Sequence, residues 1–370
     1  MEVCGRIKEL LPGLVKHRRL LHRNPEPSGK EFKTCEYICG VLKAAGFKYK
    51  TVRTGVYCDI AGRVKRPLVA LRCDTDALPI CERTPVAFRS DNGYMHACGH
   101  DGHTAALLTL AEFFAASPPD RSTRLIFQYG EEGEGGAQTM IDAGVLDGVN
   151  EIYAVHMSPS LDTGTLSTVE GPMFAGTVEF DIAITGRAAH CAEPQKGLDA
   201  LKCAAYIVNN FPSVNEKHKN NTLLHAGTLS AGAARNVVAS DALLKCTLRF
   251  FDSAHSEEIM MNLARLLVES DNKFGTSHNV AVGSVYEPTI NSPFAVSKVK
   301  RLCPDVTDAE PVYMAEDFGA YTRHVDGCMV WNGCRDKNYN SPLHSDTFGF
   351  DEGALLYAAE LFYRIVSAVE

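Results

Sequence analysis

The 370-residue chain has no uninterrupted apolar run near the roughly 18 residues a membrane-crossing helix needs, so a spanning role is excluded. It has no excess of basic residues: 37 Lys and Arg stand against 45 Asp and Glu, a net charge of −8. Without a basic stripe to displace counterions, nucleic acid is not an expected partner. The opening residues Met1 to Leu11 are broken by Glu2, Arg6, Lys8 and Glu9. They lack the apolar stretch of a signal peptide, so export is not expected. Internal repeats, low-complexity tracts and charge blocks are missing too, which removes solenoids and disordered tails. No Cys-x-x-Cys occurs among the 13 cysteines, and their odd number and wide scatter do not form a disulfide framework. The expectation is a cytoplasmic protein in a reducing compartment, its cysteines mostly small buried hydrophobes.

The remaining composition, 45% hydrophobic and 22% charged, is that of an ordinary globular protein long enough for two domains. Short apolar stretches alternate with amphipathic segments. Leu68 to Leu71 reads as a buried strand ending in the polar cluster Arg72, Asp74 and Asp76. Arg124 to Tyr129 and Asn150 to His156 read as further strands. Gly102 to Ala116 places Leu107, Leu110, Ala111 and Phe114 at helical spacing and stops at Ser117-Pro118-Pro119, the pattern of an amphipathic helix. Strands alternating with helices predict an α/β domain. The middle changes style. Val178, Phe180, Ile182 and Ile184 alternate with Glu179, Asp181 and Ala183, the period of a strand with one solvated face. Helices are predicted over Leu198 to Phe211 and Ser253 to Ser270, and a strand over Ala242 to Phe250. After Pro288 the first style returns and ends in a helix from about Asp351 to Val366. The predicted architecture is an α/β fold. Its catalytic domain (1–174 and 287–370) is discontinuous, with a mixed twisted sheet flanked by helices, and a smaller α+β lid domain (175–286) is inserted, which the resemblance given below implies is also the dimerisation domain.

The densest chemical signal is Met95-His96-Ala97-Cys98-Gly99-His100-Asp101-Gly102-His103, a thiol, three imidazoles and a carboxylate around glycine breaks just before a helix. Such spacing lets two side chains converge on one ion. Glu131-Glu132 follows a strand and precedes a glycine-rich turn, His156 ends another strand, and His344 sits in the turn-like Ser341-Pro342-Leu343-His344-Ser345-Asp346. Taken singly, each has an ordinary reading as a solvated turn or loop residue. Together, at strand ends and adjoining loops, they make a two-metal pocket where open α/β sheets place their sites. A pair of divalent ions activates water and polarises a carbonyl, while an adjacent carboxylate takes the proton. The pair Glu131 and Glu132 offers one carboxylate for each task.

These motifs, with Arg72-Cys73-Asp74-Thr75-Asp76-Ala77-Leu78-Pro79 and Leu21-His22-Arg23-Asn24-Pro25-Glu26 before them, resemble the amidohydrolase branch of the aminoacylase and carboxypeptidase metallopeptidase family. Hippurate hydrolases, N-acetyl-diaminopimelate deacetylases and auxin-conjugate hydrolases belong to that branch. The likeness continues through Gly186-Arg187-Ala188-Ala189-His190, Ala234-Arg235-Asn236-Val237, Ala315-Glu316-Asp317-Phe318 and Leu343-His344-Ser345. It implies metal ligands at Cys98, His100, Glu132, His156 and His344, with Glu131 as general base. It implies two divalent ions per subunit (manganese, zinc, nickel or cobalt), and a substrate that is an N-acyl amino acid or dipeptide-like molecule. It also implies a homodimer through the lid, whose His190 reaches across to stabilise the oxyanion and whose Asn236 binds substrate. Asp74, Asp76 and Asp101, with Glu316 and Asp317, are the carboxylates expected to hold ligand imidazoles in place. The chain departs from the family pattern at Tyr129-Gly130, Glu193-Pro194-Gln195 and Asp346, positions that bear on specificity rather than on reaction type. The competing readings are a dipeptidase on the same scaffold and an inactive metal- or ligand-binding homologue. The carboxylate of Glu131, which a binding protein does not need, separates the second of these from an enzyme.

Overall fold

The structure is a computed structural model describing residues 1–133 and 135–368; positions 369 and 370, which close the expected catalytic segment, lie outside the described residues. The chain divides into two compact units, one formed by Met1–Met173, Thr289–Pro311 and Asp317–Glu370, the other by Phe174–Pro288 and Val312–Glu316. Among the described residues no helix is long and apolar enough to cross a membrane.

The first unit is built on an eight-stranded mixed sheet. Its strands run Tyr49–Val52, Gly55–Ile60, Arg121–Gln128, Val64–Asp74, Val149–Asp162, Asp326–Arg335, Leu166–Thr168 and Thr307–Asp308 from edge to edge. The four central strands, Arg121–Gln128 to Asp326–Arg335, are mutually parallel. Successive residues along most of each strand are buried, so both faces of this part of the sheet are covered. Asp74 pairs in register with Gln128, and His156 with Trp331, so chemically capable residues gather toward one end of the parallel strands. That is the carboxyl end, where such sheets hold their sites.

The helix after the central motif runs His100–Ala116 and is buried almost all round rather than on one stripe. It packs against the Leu11–Arg23 and Ala354–Ser367 helices as well as the sheet. The amphipathic reading fails here because Ala105, Ala106 and Thr109 fill contacts that helical spacing would assign to solvent. A Cβ on Gly13 would stand 3.3 Å from the Thr109 methyl, so the glycine lets the two helices approach closely.

In the second unit an antiparallel sheet runs Ser277–Tyr286, Gly171–Thr185, Asp241–Phe250, Thr222–Ala231, the first residues of Gly171–Thr185 belonging to the first unit. Val178, Phe180, Ile182 and Ile184 point into a core with Leu244, Leu248, Ile207 and Leu263, while Glu179, Asp181 and Ala183 face outward. The two helices of this core are Ala200–Asn215, capped by Asp199, and Ser253–Phe274, capped by Asp252. The latter outruns its expected stop at Ser270. That hydroxyl bonds back to the Leu266 carbonyl at 2.7 Å, which tolerates the helix. It ends instead at Gly275, at φ 72°, a left-handed closure suited to glycine.

Candidate metal centre

Three loops and one strand bring the expected ligands together within the first unit. Gly99, at φ 90°, turns the chain into the helix, setting Cys98 just before it and His100 at its first position. The Glu131-Glu132 pair sits in a tight turn: the amides of Gly135 and Gly136 both donate to the Gly130 carbonyl, at 2.8 and 3.2 Å. Gly130 and Gly135 have positive φ, and a Cβ on Gly136 would lie 1.8 Å from the Tyr129 carbonyl oxygen. His344 takes φ 61°, a strained value for a residue with a Cβ, of the kind that collects at functional sites. Its N–H donates to the Ala97 carbonyl at 2.9 Å, which pins the His344 loop beside Cys98.

The donor atoms of Cys98, His100 and His156 all lie within 4.8 Å of one another, as do those of Cys98, Glu132 and His344. Cys98 belongs to both groups, so its sulfur stands where one ligand could serve two ions. Glu131 makes a third close group with His100 and Glu132. Its Oε2 is 4.0 Å from His100 Nε2, and Glu132 Oε1 is 3.3 Å from His344 Nε2. All but the half-exposed His344 and partly buried Glu132 are buried, which leaves the His344 side as the open end.

The tautomers are fixed from behind. His100 Nδ1 donates to the Asp76 backbone carbonyl at 3.0 Å and to its carboxylate at 3.2 Å, and His100 Nε2 is buried with no hydrogen-bond partner among the described residues. Asp76 also accepts the Glu132 amide at 2.8 Å, so one carboxylate sets two of the expected ligands. His156 Nδ1 donates to the Met157 carbonyl at 2.9 Å and turns Nε2 toward the Cys98 sulfur, 3.4 Å away.

The electrostatics favour a cation. Burial acts to depress the His100 imidazole, yet Asp74, Asp76 and Glu132 around it push it up to about 10. Burial, then the charges of Glu132, Glu131 and Asp74, hold the Cys98 thiol well above its usual range. Burial above all brings His156 down to about 3, leaving a neutral ring with a lone pair. A divalent ion would take the place of the His100 proton and stabilise the thiolate. Thiolate, imidazole and carboxylate donors with an orphaned Nε2 among them fit such an ion.

Two further expectations resolve differently. Asp101 points away from the cluster: its Oδ2 accepts from His22 Nδ1 at 2.9 Å and Arg18 Nε at 3.3 Å. It anchors the Leu11–Arg23 helix and touches none of the five ligands. Asp74 accepts from His103 Nδ1 at 2.7 Å and from Arg72 at 2.8 Å. Arg72, fully buried, also donates to Asp317 at 2.9 Å and to Gln128 at 2.9 Å. Sequence reasoning gave Arg72, His103 and Gln128 no role. The available signals were a charged residue closing an apolar strand, and the i,i+3 spacing of His100 and His103, which places them on one helix face. In the second unit His190 and Asn236 are both exposed and adjacent, since His190 bridges Val237 and the Cys191 amide donates to the Asn236 carbonyl at 3.0 Å.

Known proteins resemble this chain along nearly its whole length. The profile of peptidase family M20/M25/M40 matches residues 70–368. N-acetyl-L-cysteine deacetylase of Bacillus subtilis (strain 168) is 32% identical over 364 residues, covering 95% of this chain and 86% of that protein. N-acetyldiaminopimelate deacetylase of Leuconostoc citreum (strain KM20) is 31% identical over 363 residues, 93% of each. Among solved structures, the Bacillus subtilis YXEP protein, a dinuclear metal binding peptidase of the M20 family, superposes with a TM-score of 0.84 at 29% identity, covering 97% of this chain and 98% of that one. On the extent of the profile match and the identity along nearly the whole chain, this protein belongs to peptidase family M20/M25/M40.

Proposed function

We propose that the protein is a metal-dependent deacylase that hydrolyses the amide bond of small N-acyl amino acids, with Cys98, His100, Glu132, His156 and His344 holding two divalent ions. The observation that carries this reading is the position of Cys98 in both donor groups, because a donor common to two triads could serve both ions of a dinuclear centre. Ions bound there would polarise the scissile carbonyl and lower the pKa of the attacking water. Thiolate, imidazole and carboxylate together admit manganese, zinc, nickel or cobalt.

Glu131 acts as general base: its carboxylate takes the proton from water and returns it to the departing amide nitrogen, so that carboxylic acid and free amino acid leave. Asp76 keeps the His100 Nδ1–H and the Glu132 amide in place throughout. Residues 175–286 are read as the inserted lid and dimerisation domain of a homodimer, from which His190 reaches across to steady the oxyanion in the partner subunit's site while Asn236 contacts polar groups of the substrate. The free state of all the cysteines supports residence in the cytoplasm. The relatives' names, deacetylases of N-acetyl-L-cysteine and N-acetyldiaminopimelate, support small N-acyl amino acids as the substrate class.

The test is release of free amino acid from a panel of N-acetyl, longer N-acyl, N-aroyl and dipeptide substrates with each metal added in turn. Wild type is compared with Glu131→Ala. Metal-dependent release that falls about 100-fold or more in the variant, at unchanged metal content, supports the reading. A loaded wild type that releases nothing from any substrate refutes it in favour of a binding protein, and release from dipeptides alone favours the dipeptidase.

A further inference from the structure

Behind the five ligands lies a buried histidine that the proposed chemistry leaves unused. His103 is completely buried, one turn along the helix from His100. Its Nδ1 is 2.7 Å from Asp74 Oδ1, and its Nε2 accepts the backbone N–H of Met157 at 2.9 Å. A ring nitrogen that accepts an N–H carries no proton of its own, so the proton sits on Nδ1 and is donated to Asp74. That tautomer has no lone pair left for an ion. Asp74, His100 and His103 also bring three donor atoms within 4.8 Å, but the engagement of both His103 nitrogens excludes them as a third metal group.

Met157 is the residue that follows His156, and its two backbone groups are used in opposite directions. Its N–H is given to His103, while its carbonyl accepts Nδ1–H from His156. The His103 ring thus holds the peptide that joins His156 to Met157, while the carbonyl that orients the ligand's imidazole lies in the next peptide, one Cα away. The Met157 side chain is seated as well: a Cβ on Gly99 would come within 2.9 Å of its Cγ, and one on Gly102 within 2.9 Å of its Cε. Glycine at both positions is what leaves room for it. On the other side, Asp74 is held by Arg72, which Gln128 and Asp317 fix in turn. The result is a run of hydrogen bonds from Asp317 through Arg72, Asp74 and His103 to the Met157 N–H, continued through the Met157 backbone to the carbonyl that holds His156.

We propose that His103 is a positioning residue of the metal centre, which sets the His156 imidazole by holding the Met157 amide while Asp74 fixes its own tautomer. This rests on the dinuclear reading of the site. Ligand histidines depend on such outer partners, whose loss typically costs about 10–100-fold in metal affinity.

Two near-isosteric variants separate the two hydrogen bonds. The amide of asparagine falls near the position of Nδ1 and that of glutamine near Nε2. His103→Asn therefore keeps the contact to Asp74 and loses Met157, whereas His103→Gln can still accept the Met157 N–H. Chelator-treated full-length wild type and both variants are titrated with Co²⁺, reading stoichiometry, affinity and the visible and near-ultraviolet bands of cobalt bound to thiolate and imidazole. The expected result is two ions in wild type, near-wild-type behaviour in His103→Gln, and an affinity about 10–100-fold lower with altered bands in His103→Asn. Equal binding in His103→Asn and wild type overturns the proposal, as does an equal loss in both variants. A wild type that binds no Co²⁺ instead removes the dinuclear reading itself. Independently of how the variants fold, ¹⁵N-histidine spectra of wild type must show His103 protonated at Nδ1 and bare at Nε2, and the opposite tautomer overturns the proposal.

Discussion

Replacing His22 with glutamine tests how the centre is braced. His22 is buried in the first unit with Nδ1 2.9 Å from Asp101 Oδ2 and Nε2 3.0 Å from Glu82 Oε1. Both nitrogens face carboxylates, so both donate, which only the imidazolium can do. Burial opposes that charge, but the hydrogen bonds to Asp101 and Glu82 outweigh it and raise the group from 6.5 to about 9. The rise from 6.5 to about 9 corresponds to about 3 kcal/mol of stability. Because the folded value is raised, that contribution is fully present below about pH 6.5 and is lost as pH climbs through about 9. Glutamine keeps one donor and cannot carry charge. Urea unfolding of the metal-free protein can be followed by fluorescence of Trp331, the only tryptophan, which is buried in the same unit with its ring 5.3 Å from that of His156. Taking wild type minus His22→Gln at each pH cancels the groups common to both. The difference should be about 3 kcal/mol at pH 6 and should shrink steadily toward pH 10. A difference that stays constant across that range would refute the assignment of an imidazolium bridging two buried acids.

Adding a divalent ion to the chelated protein at about 100 times its dissociation constant should stabilise the first unit by about 2.7 kcal/mol, read as a rise in the Trp331 melting temperature; no rise would contradict a preformed site. Gly136→Ala should uncouple the glutamate pair from the other ligands, since its Cβ would stand 1.8 Å from the Tyr129 carbonyl oxygen. Metal stoichiometry should fall even where circular dichroism is unchanged. Arg72→Leu leaves Asp74 and Asp317 buried without their shared cation, and should cost about 3–5 kcal/mol in the same urea assay.

How much of this was legible in the sequence depends on whether a residue's role is local. The glycine-broken run from Cys98 to His103 announces itself because a turn, a helix start and four metal-competent side chains fall within six positions. The alternation from Val178 to Ile184 fixes a sheet face by period alone. The helix His100–Ala116 was legible, but its full burial was not, because an apolar stripe tells which face is buried but not that the opposite face is buried too, by the Leu11–Arg23 and Ala354–Ser367 helices. Asp101 illustrates the same limit. Next to His100 in sequence, it points across the helix to His22 and Arg18, as its place one residue further round the helix dictates. His103, three positions from His100, returns to the ligand's side and meets Asp74 from a strand 29 residues earlier. Helical phase therefore separates the two: the neighbour in sequence braces the helix from outside, and the neighbour in space reaches the ligands. That separation has a functional consequence, because changes on the His22 side act on stability through pH, while changes on the His103 side act on metal affinity. A variant at one should leave the other's readout unmoved, so His22→Gln should bind Co²⁺ as wild type does at pH 7, and loss of an ion there would show that the two braces are one.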